Sequence, residues 1–147
     1  MGPVKLERLN DRLDAFESAL KAALPTRIIK RELMHFDKHT AAEISAGVLM
    51  IVSKGEGSYS QVPGMVAKEG TLYLSLIGHL KLAETNTGQE LETAEIDFIE
   101  EIKAALRISV PGISLKLNNI DQSAQLDFPY GWLVASVDVM PPQQNTY

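Results

Sequence analysis

A chain of 147 residues has the size of one ordinary domain, with a core large enough to fold by itself. Hydrophobic residues at 45% and charged residues at 22% exclude a disordered composition, and a formal net charge of -5 argues against broad attraction to DNA, RNA or anionic lipid. The absence of cysteine excludes disulfides, thiolate metal sites and thiol nucleophiles.

In chain order, Leu6, Leu9, Leu13, Phe16, Leu20 and Ala23 recur three and four apart. Pro3 to Leu24 therefore reads as an amphipathic helix, with Pro3 in its first turn and Pro25 ending it. Lys5, Glu7, Arg8, Asp11 and Arg12 interrupt the apolar residues, so an export signal is not expected, and no stretch approaches the roughly 20 apolar residues of a membrane span. Thr26 to Glu32 reads as a short strand made basic by Arg27, Lys30 and Arg31. Met34 to Ser45 is longer and more polar than a simple connection, and is either an insertion or a short helix involving Ala41, Ala42 and Ile44. Ala46 to Val52 is nearly all apolar, as a central strand covered on both faces should be.

Ser53 to Gly70 is rich in Gly, Ser and charge. It reads as a long exposed loop or hairpin tip whose arms are the Val48 and Leu72 strands, and loops of that length usually have a job. Leucine at 72, 74, 76, 80 and 82 keeps a period of two that only Gly78 breaks, giving a strand with one buried face and His79 exposed opposite it. Thr87-Gly88-Gln89-Glu90 spells a capping box for a helix from about Glu90 to Arg107. Leu91, Ala94, Phe98, Ile102, Ala105 and Leu106 form its buried stripe, while Glu92, Glu95, Glu100 and Glu101 fall on solvated faces. Pro111-Gly112 turns the chain into a strand from Ile113 to Leu117. The last strand, Trp132 to Val139, points Leu133, Ala135, Val137 and Val139 to one side and stops at Pro141-Pro142. The sum is a single α+β domain over 1-147: a mainly antiparallel sheet with two helices packed on one face and a long hairpin loop.

His35, Asp37 and His39 alternate, and an extended backbone would point all three to one side, where two imidazoles and a carboxylate can hold zinc or iron(II). The bland alternative is a solvated turn. Lys54-Gly55-Glu56-Gly57-Ser58 lacks the helix and Lys-Ser/Thr pair of a phosphate loop, and no Gly-x-Ser-x-Gly elbow is present, so no enzyme is expected. Arg27 and Arg31 lack interleaved aromatics, which disfavours nucleic-acid readout. They can instead meet the acidic helix across a subunit boundary, or remain solvated. Lys54 and Tyr59 sit in the long loop, with Tyr59 the aromatic best suited to anchor an interface.

The N-terminal helix, the hairpin from Ala46 to Leu82, the acidic helix after Thr87-x-x-Glu90 and the closing Trp132-Leu133-Val134-Ala135-Ser136-Val137 strand together resemble the small tail terminator proteins of long-tailed bacteriophages and prophages. The likeness spans most of the chain and lies in element order and hydrophobic pattern, so it transfers no individual residue. It implies a non-enzymatic homo-oligomer without cofactor, a hexameric ring when assembled, that caps the tail tube, stops its polymerisation and offers a docking face to the head. The implied partners are the tail tube protein and a head-completion protein, with no membrane and no sequence-specific nucleic acid. The implied setting is the bacterial host cytoplasm during assembly and then the virion tail. A head-tail joining or neck protein is the near rival. A metal-dependent enzyme or small-ligand binder at His35, Asp37 and His39 is the rival from another class.

Overall fold

The computed structural model describes residues 8–59, 70–107 and 114–140. The expectations placed on Pro3, on the loop residues 60–69, on Pro111-Gly112, on Ile113 and on Pro141-Pro142 lie outside these residues.

Five strands form one sheet in the order β1-β2-β3-β5-β4. They are β1 (Ile28–Lys30), β2 (Val48–Gly57), β3 (Thr71–Lys81), β4 (Ser114–Gln122) and β5 (Tyr130–Met140), and only the β1–β2 pair is parallel. Helices α1 (Leu9–Ala23) and α3 (Gly88–Leu106) cover one face of the sheet, and the short α2 (Ala41–Ala46) follows a single 3-10 turn at Phe36–Lys38. The architecture is α+β and mainly antiparallel, as the residue pattern indicated.

The period-two leucines of β3 and the alternating residues of β5 face the helices, so Leu72, Leu74, Leu76, Leu80, Leu133, Ala135, Val137 and Val139 share one core with Leu13, Phe16 and Leu20 of α1 and Leu91, Phe98 and Ile102 of α3. Each leucine so buried contributes about 2 kcal/mol relative to exposure. Gly78 breaks the leucine pattern for a steric reason. It pairs with Leu133 on β5, and a Cβ at this position would lie 2.9 Å from Leu133 Cγ. The capping box forms as written: Thr87 Oγ1 accepts from the Glu90 N–H and the Glu90 carboxylate accepts from the Thr87 N–H.

Three expectations need correction. The strand expected over Thr26 to Glu32 shrinks to three residues, because the chain turns away once Lys30 has paired with Met50. Ser53 to Gly57 belong to β2, not to a loop, and a register shift between Ser53 and Gly55, with Gly55 at φ +109, hides the alternation there. The strand expected to end at Leu117 runs on to Gln122 past a second register shift between Leu117 and Asn119. A short helix, the second of the two readings of Met34 to Ser45, is what forms there, with its own capping box between Thr40 and Glu43.

Among the described residues, the other face of the sheet is covered only at one end. There α2 packs on β3, Phe36 of the 3-10 turn stacks on His79, the β3 partner of Val48, and the Met34 N–H meets Met50 Sδ at 3.3 Å; Val48 and Met50 are fully buried, which fits the unbroken apolar run in β2. Further along this outer face Val52, Tyr73, Ile77, Val134, Ser136 and Asp138 are half-buried. No helix among the described residues is long and apolar enough to cross a membrane.

Candidate functional site

Under α2, two imidazoles meet. His39 follows the 3-10 turn and His79 lies on the outer side of β3, and their rings approach with His39 Nε2 3.0 Å from His79 Nδ1. Both are buried, so the expectation of an exposed His79 is wrong: it does point away from the helical core, but the segment from residue 34 to 46 lies over it. Phe36 stacks on the His79 ring at 4.2 Å between centroids and touches Tyr130 at 5.1 Å. Loss of water lowers the pKa of both rings, that of His79 to about 4, and the neighbouring Lys30 ammonium lowers His39 further. The pair is therefore neutral at pH 7.

The three residues read as a metal-ligand trio do not converge. The 3-10 turn, rather than an extended backbone, carries Asp37, so His35 and Asp37 meet each other at 3.6 Å in solvent while His39 turns inward to His79. Among the described residues no three His, Cys, Asp or Glu side chains sit where they could hold one ion.

A second polar cluster sits at the base of the long hairpin. Arg12 on α1 is buried; it donates to the Gly70 carbonyl at 3.0 Å and to Glu56 Oε2 at 2.7 Å. Glu56 also accepts from the Gly70 N–H and from the Tyr59 hydroxyl. Burial alone would raise the Glu56 carboxyl, but the Tyr59 hydroxyl, the Gly70 N–H and the Arg12 guanidinium outweigh it and hold the pKa below the usual carboxylate value. Tyr59, in turn, has its hydroxyl pKa raised by the bond to Glu56. The arrangement ties both ends of the hairpin loop to α1.

A third buried charge is Glu95, placed on a solvated face by the sequence reading. Instead it turns toward the β4–β5 hairpin and accepts from Ser123 Oγ at 2.5 Å, from the Trp132 N–H at 3.1 Å and from Gln122 Nε2 at 3.2 Å. Among the described residues its partners are hydrogen-bond donors and none is a cation.

Of the four residues read as interface candidates, Arg27 and Arg31 find acidic partners inside the same chain. Arg27 forks onto both Glu101 oxygens at 3.0 and 2.6 Å, donates to the Ala46 carbonyl at 2.9 Å and stacks on Phe98 at 4.3 Å. The match between the basic strand and the acidic helix thus closes within the chain. Arg31 reaches Asp14 at 3.3 Å. Lys54 is exposed at the register shift of β2, and Tyr59 is partly exposed while bonded to Glu56. Sequence reasoning missed Arg12, Glu95 and the His39–His79 contact. Their partners lie 44, 28 and 40 positions away, and no local pattern reports such distances.

A shallow hollow of about 320 Å³ between the ends of α1 and α3 is lined by Ala23, Leu24, Pro25, Thr26, Glu101, Ala104 and Ala105. Its single ionisable group, Glu101, is already engaged by Arg27. Comparison of the chain with protein-family models and with curated proteins finds no match.

Proposed function

We propose that the chain is a structural virion assembly protein of a phage or prophage, acting as a tail terminator that closes into a ring on the end of the tail tube. The observation that carries this reading is the distribution of free surface. Both long helices sit on one side of the sheet, α2 covers only one end of the other side, and β4 pairs with β5 alone among the described residues. A half-buried strip through Val52, Ile77 and Val134, a nine-residue strand edge and a hairpin braced at its base by Arg12 suit contacts between copies and neighbours. The buried ionisable groups serve the fold: each one is bonded to a donor or acceptor on another element.

The test is assembly, measured on purified components. The protein is mixed separately with purified tail tubes and with tail-less heads, and the mass bound is read by light scattering and negative-stain imaging. A sixfold cap on tubes supports the terminator. Binding to heads but not tubes would reassign the chain as a neck protein, and failure to bind either would overturn the assembly reading altogether.

A further inference from the structure

We propose that the His39–His79 contact is an acid-operated latch, which holds the 34–46 segment over one end of the sheet when neutral and releases it when either ring gains a proton. The inference does not depend on the assembly reading.

The geometry fixes which ring donates. Two neutral imidazoles joined at 3.0 Å need one N–H and one bare nitrogen at the contact. His39 Nδ1 is buried and has no hydrogen-bond partner among the described residues. If His39 accepted at Nε2, its proton would sit on Nδ1 as a buried, unbonded N–H. If His39 donates from Nε2 to His79 Nδ1, its Nδ1 carries only a lone pair, the cheaper of the two to leave unpaired. The second arrangement is therefore the native one.

A third proton has no tolerable place. On His79 Nδ1 it would face the His39 N–H and break the contact. On His39 Nδ1 it would create a buried cation with an unbonded donor. The surroundings offer little compensation. From β1, the Lys30 ammonium opposes a charge on His39; from α2, Glu43 favours one, but its carboxylate already binds Lys30 at 2.9 Å and caps α2 through the Thr40 N–H. Toward His79 face the His35 imidazole, which opposes charge, and the uncharged rings of Phe36 and, across β5, Trp132, whose indole donates to Asp127. Behind Phe36 stands Tyr130, with the Lys81 ammonium over its ring at 5.1 Å. Charging either ring thus favours the open segment.

Opening would uncover Val48 and Met50 next to the half-exposed Ile77, extending the apolar strip of the outer face. The helical core on the opposite face contains none of these groups and should stay intact.

Hydrogen exchange on the intact protein, corrected for the intrinsic rate, tests the latch. Between about pH 7 and about pH 4.5, amides of residues 34 to 46 should lose protection by roughly tenfold or more while those of α1 and α3 keep theirs. In His79→Phe, whose ring keeps the stack on Phe36, that pH dependence should shrink to what His39 alone supplies, and in the double variant that adds His39→Phe it should vanish. Should either variant fail to fold, the wild type still decides: the ring protons of His39 and His79 should titrate together, at the pH where the segment opens. A segment that stays protected at the lower pH overturns the latch. So does an equal loss in His79→Phe, or a stoichiometric zinc ion held between the two rings.

Discussion

Glu95 illustrates how a single buried charge can organise a hairpin. Three donors from β4, the following turn and β5 aim at one carboxylate, and replacing it with a neutral isostere turns one of its oxygens into a competing donor. Glu95→Gln should therefore cost about 2 kcal/mol in urea unfolding, whereas Glu95→Leu, which leaves the donors unpaired, should cost more. Arg12 is the corresponding cation. Arg12→Met strands Glu56 and the Gly70 carbonyl, and a loss of about 3 kcal/mol is expected in urea unfolding. His79 sets a pH dependence of its own. Its native pKa of about 4 lies below the ordinary 6.5, so on acidification the unfolded chain takes the proton first. Its contribution to stability is complete above pH 6.5 and is lost as the pH falls from there toward about 4, a change of up to about 3 kcal/mol. Equilibrium unfolding at several pH values should show this slope in the wild type and a shallower one in His79→Phe.

At the scale of elements, the parts legible in the sequence are those whose pattern is purely local. The leucine period of β3, the alternation of β5 and the Thr87 capping box each describe one element and need no knowledge of its neighbours. The parts that escaped involve a neighbour. β1 has no pattern of its own because it is a short parallel edge that takes its register from β2. The end of β2 reads as a loop because the register shift at Ser53 and Gly55 breaks the alternation where composition also turns glycine-rich. The alternation of β3 puts His79 on the correct face but leaves it exposed, since nothing in β3 announces that a segment 40 residues earlier will lie over it. Gly78 lies between these two classes: its break in the leucine pattern was visible, its cause was not. With a Cβ 2.9 Å from Leu133 Cγ, Gly78→Ala forces β3 and β5 to shift, and a destabilisation of about 1–3 kcal/mol is expected despite the higher strand preference of alanine, measurable as a lower thermal midpoint.

Taken as a whole, the described molecule has one core, built from α1, α3 and four of the five strands, with Leu115, Leu117 and Ile120 of β4 packed against it. Leu13 and Phe16 of α1, Ile29 of β1, Leu49 and Ile51 of β2, Leu76 of β3, Phe98 of α3 and Ala135 of β5 belong to a single buried cluster. No subset of the described elements holds an apolar centre large enough to persist once the others leave, because removing α1 or α3 exposes the same leucines of β3 to water. The charged contacts reinforce this unity: Arg12 joins α1 to the hairpin, Arg27 joins the start of β1 to α3, and Glu95 joins α3 to β4 and β5. Unfolding near neutral pH should accordingly be one cooperative step. The lone Trp132 sits on β5 beside His79, whereas far-UV circular dichroism is dominated by α1 and α3, so the two signals watch opposite faces of the sheet. Their urea transitions should superimpose at pH 7, and midpoints that differ would show that the sheet and its helices unfold as separate units.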